Sequence, residues 1–282
     1  MTETPLLLDP LFRVPFVTGL LLAATLPVLG TLLLLREEWL AALGLAHLAA
    51  ASALLGLAAG LPLVLGGGLG ALLGALAKGA LEARGNVTYG FMILGGWSAL
   101  LLVAANTALG DSLSHALIDG QLYFAGTIEL TAAALLAALA ALTLPWLTPR
   151  LLRARFFPRY ETANGLPTWR WHLGFDGLAA LGMAVGIATL GIMGAFALVL
   201  VPAWIAFRTA TGWGPTLAIA AVSGALGYLG AFGLALGLDQ PFGPVLVALL
   251  LVGAALTSAL ARARRRGSES RPGAVESRLP PA

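Results

Sequence analysis

The stretch LREEWLAALGLAHLAAASALLG, from Leu35 to Gly56, joins two long apolar segments through a step of three charges. The charges belong to Arg36, Glu37 and Glu38, and the apolar run after them contains one ionisable side chain, His47. A helix needs about 20 apolar residues to cross the hydrocarbon core of a bilayer, and this run supplies them. The stretch therefore predicts a turn between two membrane-spanning helices, the second of which carries a histidine inside the membrane.

The composition of the whole chain agrees with this prediction. Of the 282 residues, 59% are hydrophobic and 10% are charged, and the mean hydropathy is +0.91. Soluble domains carry about 25% charged residues. The absence of cysteine excludes disulfides, thiolate metal sites and redox pairs. The net charge of +3 is concentrated in short loops and at the C-terminus, which is typical of a membrane protein and not of a nucleic-acid surface.

The charge-free windows predict an all-α, polytopic helical bundle with eight or nine transmembrane helices. Residues 173–207 form a segment that is long for one membrane-spanning helix and short for two. Its middle contains Gly182, Gly186, Gly191 and Gly194, so we expect a broken or re-entrant pair of helices there. The predicted spans are 15–35, 39–60, 62–82, 87–107, 124–145, 173–188, 191–207, 214–237 and 243–262.

The lysines and arginines orient the bundle. They cluster in alternate loops, whereas the loops near 61, 108–123 and 238–242 contain none. The positive-inside rule then places the N-terminus outside and the C-terminus in the cytoplasm, and it requires an even number of crossings between Arg170 and Arg208. We expect one transmembrane domain over 1–266 and a disordered cytoplasmic tail over 267–282, which is rich in Ser, Pro, Gly, Arg and Glu.

Three places carry candidate functional residues. His47 is either a pathway residue or a neutral histidine bonded to another helix, for example through Ser52 or Thr107. In GDSLSHALID (110–119), Asp111 and His115 lie four residues apart on one helical face. This spacing favours either a cation-attracting vestibule or a solvated acidic loop with Asp111 as the N-cap.

Three further residues, Trp97, Glu129 and Asp176, are expected near span ends, at the membrane interface.

The third place is RFFPRYETANGLPTWRWHLGF, from Arg155 to Phe175, which is basic and aromatic. The ETANGLP portion predicts a short helix with Gly165 at its C-cap and Pro167 as a stop. Such a helix on the cytoplasmic surface is either a docking element or an ordinary interfacial loop.

From about Pro15 to Ala261, the chain resembles the membrane permease subunits of the zinc-, manganese- and iron-type ABC importers. The resemblance rests on an arginine, Arg36, ahead of a histidine-bearing second span, and on the segment FFPRYETANGLP. It rests also on VGIATLGIMGAFALVLVPAWIAF followed by LDQPFGPVLVALLL, with an Asp-x-Pro-x-Gly turn at Asp239, Pro241 and Gly243.

The resemblance implies a permease of the type II ABC importer fold in the bacterial plasma (inner) membrane. It implies a homodimer, a cytoplasmic ATPase subunit that hydrolyses the ATP, and an extracytoplasmic solute-binding protein. The chain itself would be no enzyme and would hold no cofactor, and its cargo would be a divalent transition metal. His47 would contact the metal, with Asp111 and His115 along the pathway. The ATPase would dock at Pro158, Arg159, Glu161, Gly165 and Pro167.

The sequence departs from the family pattern at one position that matters for cargo. Family members carry an aspartate four residues before the span-two histidine, and here that position is Leu43. The departure leaves open a related permease for a chelate or vitamin, such as a siderophore or corrinoid. A stand-alone secondary carrier would require coupling charges in its spans. The chain contains no phosphate-binding loop, GxSxG or HExxH motif, which are signatures of ATPases and hydrolases.

Overall fold

The computed structural model describes residues 10–80, 85–107 and 110–269, without the side chains of 10, 111–115, 162, 168 and 264–269. Within these ranges every regular element is helical, as the sequence predicts. The helices are α1 (Pro10–Leu35), α2 (Trp39–Ala58), α3 (Leu63–Ala80), α4 (Asn86–Ala105), α5 (Gly110–Asp119), a 3₁₀ turn (Leu122–Phe124), α6 (Thr127–Phe156), α7 (Pro158–Ala163), α8 (Thr168–Thr209), α9 (Trp213–Gly237) and α10 (Phe242–Glu269).

Eight helices in this part of the chain are long and apolar enough to cross a membrane, and α5 and α7 are short connecting helices. The predicted fold class, a polytopic helical bundle, is confirmed. Helix α8 is the most buried of the eight over its apolar window, at 78%, and α10 is the least, at 11%. The core of the bundle is therefore built around α8, and α10 lies at its edge.

Helix α8 is a hairpin of two arms. Gly191 has φ 76° and ψ 170°, a conformation outside the helical region that glycine adopts readily. A Cβ added to Gly186 would lie 2.9 Å from the Cβ of Ala195, whereas these positions would be about 13 Å apart along a straight helix. The chain therefore reverses at Gly191, and the broken pair predicted for 173–207 is confirmed.

The hairpin tip is fastened to the short segment after α5. The break frees the carbonyl of Thr189, and the Gln121 N–H donates to it at 3.0 Å. A Cβ at Gly191 would lie 2.5 Å from the nitrogen of Gly120, and one at Gly243 would lie 2.5 Å from the oxygen of Asp119. Three glycines thus let the hairpin tip, the α5 terminus and the start of α10 meet at one end of the bundle.

Helix α1 lies against both arms of the hairpin and against α9. A Cβ at Gly30 would lie 1.8 Å from the carbonyl oxygen of Val199, and one at Gly224 would lie 2.4 Å from that of Ala23. Contacts this close exclude any side chain at the two glycines. These two glycines bring helices together where no apolar side chain could fit.

Two predicted boundaries differ from the structure. Span 124–145 becomes α6, which continues through Pro145 and Pro149 to Phe156, and the Arg150 guanidinium packs 3.9 Å from the ring centroid of Trp146. Helix α10 runs to Glu269, three residues into the predicted tail, and residues 270–282 lie outside the described ranges. Both helices extend past the membrane because basic residues, which stop an apolar window, are themselves good helix formers.

Candidate functional site

His47 lies midway along α2, and its residue is 6% exposed. Its Nδ1 lies 2.8 Å from the carbonyl oxygen of Leu43, one turn earlier on the same helix. A carbonyl only accepts hydrogen bonds, so Nδ1 carries the proton and donates. In the neutral ring this leaves Nε2 with a lone pair, and the neutral ring is the form of imidazole that binds a metal ion.

Helix α4 covers His47 closely. A Cβ at Gly96 would lie 2.6 Å from the His47 carbonyl carbon, so only glycine permits this approach. The next residue, Trp97, places its indole 5.3 Å from the imidazole, centroid to centroid. Trp97 is in the middle of α4 and not at a span end, so the interfacial prediction for this tryptophan was wrong. The helical period turns the Trp97 side chain toward α2. The position of Trp97 along the chain, relative to the charged residues, carries no information about this direction.

The structure gives His47 no acidic neighbour among the described side chains. No group of three or more His, Asp or Glu residues that could hold a metal occurs in the described part of the chain. The helix-to-helix partners predicted for His47 were also wrong. Ser52 donates to the carbonyl of Leu48 at 2.7 Å and Thr107 to that of Val103 at 2.9 Å, each within its own helix.

The side chains of Asp111 and His115 lie outside the described residues, so their role in the pathway stays a prediction. Their backbone belongs to α5, which packs mainly against α8. The helix ends at Asp119, beside the hairpin tip at Gly191. The structure therefore places the GDSLSHALID segment at the end of the bundle that we assign to the extracytoplasmic side.

A cluster of four buried charges lies at the opposite end of the bundle. Arg36 contacts Glu38 at 2.5 Å and Asp176 at 2.8 Å. Lys78 contacts the same two carboxylates, each at 2.9 Å. All four side chains are under 10% exposed, and two positive charges balance two negative ones. Buried charges are tolerated when they are paired in this way.

The charge cluster joins the α1–α2 turn, the last turn of α3 and the third turn of α8. The sequence does not predict this charge cluster, because its pattern places Arg36 and Lys78 only among the basic residues of the loops. Asp176 lies toward the inner end of its span, as predicted, but the residue is only 4% exposed and its carboxylate pairs with Arg36 and Lys78 inside the bundle. One signal was available: Asp176 stands eight residues inside α8, close to the apolar window, where an unpaired carboxylate would be costly.

The segment after α6 has the local structure that the sequence predicts. Helix α7 is capped by Gly165, whose φ is 61°, and the Leu166 N–H donates to the carbonyl of Glu161 at 3.0 Å. This bond and the left-handed glycine define a Schellman C-cap. Pro158, Arg159 and Gly165 are exposed and Pro167 is half-buried, whereas Glu161 is 3% exposed.

Large aromatic side chains surround α7 at the end of the bundle that we assign to the cytoplasmic side. Phe156, Phe157 and Trp169 are more than 60% exposed, and Tyr160 is 46% exposed. Arginines stand among them, with the Arg153 guanidinium 5.2 Å from the ring centroid of Tyr160. An exposed aromatic and basic surface of this kind is typical of a protein-binding site.

Comparison with known proteins found one matching family model and two solved structures with a similar fold. The model of the ABC 3 transport family matches residues 9–261. The fold is similar to that of PsaBC from Streptococcus pneumoniae, solved with a Fab, with TM-score 0.78 and 15% identity over 88% of this chain and 91% of that one. It is also similar to a protein assigned as a metal-chelate type ABC transporter, in an inward-facing conformation, with TM-score 0.68 and 20% identity over 88% and 85%. No curated protein matches the sequence.

Proposed function

Because the chain belongs to the ABC 3 transport family, we propose that its cargo is a divalent transition metal ion (zinc, manganese or iron) and that His47 contacts the ion as it crosses. The chain is the membrane permease subunit of an ABC importer and a multi-pass protein of the inner membrane. The observation that carries the proposal is the imidazole in the middle of α2, whose Nδ1 bonds to the carbonyl of Leu43 and so leaves Nε2 available in the neutral ring.

A single imidazole suits transport better than storage. Imidazole nitrogen is a ligand for zinc, iron and other transition metals, but one ligand holds an ion only weakly. A weak site releases the ion quickly, and capture then belongs to the extracytoplasmic solute-binding protein. In a homodimer each copy supplies one His47, and Asp111 and His115 stand at the extracytoplasmic end of the path.

The α7 segment is the proposed contact for the cytoplasmic ATPase subunit, which hydrolyses the ATP. Pro158 and Arg159 present the contact surface, and Gly165 and Pro167 fix the exit of the helix. Glu161 is buried, so its role is to hold α7 on the bundle. Because α7 lies between α6 and the first arm of α8, a movement of α7 is transmitted to the hairpin.

A second candidate cargo is a metal chelate. Two observations favour it: Leu43 stands where the family carries an aspartate, and the neighbour of the imidazole is the indole of Trp97. An aromatic and apolar wall suits an organic ligand shell, whereas a bare transition-metal ion needs several donor atoms, such as imidazole nitrogen and carboxylate oxygen. The assigned metal-chelate type transporter shares the same fold.

The two cargoes are separated by the ATPase activity of the purified complex of permease, ATPase and binding protein. We expect free zinc, manganese or iron to stimulate ATP hydrolysis, and His47→Ala to abolish the stimulation. Ser52→Ala is the matched control, because this hydroxyl also bonds within α2 and leaves the imidazole untouched. Stimulation by a siderophore or corrinoid complex, with none by the free ions, would favour the chelate.

A further inference from the structure

The inner ends of α8 and α10 enclose a basic cavity that the transport path does not use. The cavity measures about 540 Å³ and is lined by Phe207, Arg208, Ser258, Ala261 and Arg262. None of these described lining residues is acidic. In the described part of the chain neither arginine forms an ion pair, because the salt bridges there involve only Arg36, Lys78 and Arg155 as cations.

The cavity lies at the depth of the cytoplasmic lipid headgroups. Arg208 stands 17 residues beyond the hairpin tip at Gly191, and Arg262 stands 20 residues beyond the start of α10 at Phe242. At 1.5 Å per residue both arginines are about 25–30 Å from the outer end of the bundle, which is about the thickness of the hydrocarbon core. Two indoles, Trp204 and Trp213, accompany them, as is usual at a membrane interface.

The arginines are arranged to hold an anion. The Arg208 guanidinium packs 4.4 Å from the ring centroid of Trp204, which restricts its movement while its edge N–H groups stay available. The Ser258 hydroxyl is occupied, since it donates to the carbonyl of Ala254 at 3.0 Å. The two guanidinium groups therefore provide the charge, and guanidinium matches the geometry of a phosphate.

An apolar stripe leads from the membrane to this cavity. Leu251 and Ala255 are exposed and lie on the same face of α10 as Ser258 and Arg262, at i, i+4, i+7 and i+11. Leu251 is 55% exposed. A ligand that fills both places has an anionic head at the arginines and a hydrocarbon chain along the stripe. That description fits an anionic phospholipid of the inner leaflet.

We propose that the cavity between the inner ends of α8 and α10 binds the headgroup of an anionic phospholipid through Arg208 and Arg262. The second arm of α8 ends at Arg208, so the lipid anchors the arm that packs against α1. A membrane rich in anionic lipid would then hold this arm in place during transport.

Native mass spectrometry of the full-length protein tests this proposal with phosphatidylglycerol and phosphatidylcholine as probes. We expect wild-type protein to retain phosphatidylglycerol and the double variant Arg208→Gln/Arg262→Gln to bind it about 25-fold more weakly. That figure follows from a factor of about five for each basic residue near an anionic surface. Phosphatidylcholine binding should be weak and equal in both proteins.

The matched control is Arg170→Gln. Arg170 also stacks on an indole at the cytoplasmic end, 5.6 Å from the centroid of Trp169, but it lines no part of the cavity. This variant should bind phosphatidylglycerol as wild type does. Equal phosphatidylglycerol binding by wild type and the double variant overturns the proposal. Loss of the ATPase subunit or of the homodimer from the double variant, with lipid binding unchanged, assigns the arginines to a protein interface and also overturns it.

Discussion

At the scale of single residues, the proposed metal cargo rests on the pair formed by His47 and position 43. The two positions are one turn apart, close enough for the imidazole to bond the backbone of Leu43. A carboxylate at position 43 would stand beside the imidazole and offer a second ligand to a divalent ion. Under the proposed function this chain would offer the imidazole nitrogen of His47 to the ion but no carboxylate at position 43, which is Leu43.

Leu43→Asp should therefore make the site bind free metal more tightly. We expect the metal concentration for half-maximal ATPase stimulation to fall by about tenfold, the scale on which one partner group changes metal affinity. Leu43→Asn is the control, since it has the same size and polarity without the charge. Equal responses of the Asp and Asn variants would show that position 43 does not face the ion.

The buried charge cluster makes a second prediction at this scale. Asp176→Asn leaves Arg36 and Lys78 with one carboxylate fewer in a site under 10% exposed, so it should destabilise the fold by about 3–5 kcal/mol. Thermal unfolding in detergent measures this loss. Glu37→Gln, which breaks the exposed pair with Arg155, should cost less than about 1 kcal/mol. An equal loss of unfolding free energy in the two variants would mean that the buried ion pairs stabilise the fold no more than the exposed pair does.

At the scale of elements, the fold depends on the break in α8. Gly191→Ala forces a side chain into a left-handed backbone conformation and within 2.5 Å of Gly120, so the hairpin tip must move. Gly165→Ala is a matched control: its φ is also positive, but no atom lies within 4 Å of the added Cβ. That control should cost only the backbone strain, about 1–2 kcal/mol.

We therefore expect Gly191→Ala to lower the melting temperature well below that of Gly165→Ala, measured by thermal unfolding of the purified permease. The second arm of α8 should also become accessible to protease at its cytoplasmic end near Thr209. A melting temperature for Gly191→Ala equal to that of the control would contradict the packed hairpin tip.

Much of the element order was predictable from the sequence because a membrane imposes simple rules. Apolar length gave the spans, and the alternation of basic loops required two crossings between Arg170 and Arg208. The helix–helix contacts were not predictable. Whether Trp97 faces lipid or His47, and whether Asp176 faces water or Lys78, depends on helix rotation, and spans that are apolar all round carry little signal of their rotation.

At the scale of the whole molecule, the hairpin in α8 sets the orientation of everything after it. With two crossings in α8, the loop at Thr211 lies in the cytoplasm, on the same side as the charge cluster and α7. With one crossing, α9 and α10 would be inverted. The loops at Asn106 and Gln240 would lie on the opposite, outer side of the membrane, and they serve as the reference for the loop at Thr211.

The chain contains no cysteine, so single cysteines report the topology cleanly. Asn106→Cys and Gln240→Cys should react with an impermeant maleimide added to spheroplasts. Thr211→Cys should react only after the membrane is permeabilised. These three positions are suitable because all of them are exposed. Labelling of Thr211→Cys in intact spheroplasts would refute the two-crossing hairpin.

The central claim, metal import through a path that includes His47, is tested most directly by the metal content of cells. Elemental mass spectrometry would compare wild-type, deletion and His47→Ala strains grown in metal-limited medium, with Ser52→Ala as the control. We expect the cellular content of zinc, manganese or iron to fall in the deletion strain and in His47→Ala and to stay normal in Ser52→Ala. Unchanged metal content in the deletion strain would contradict it.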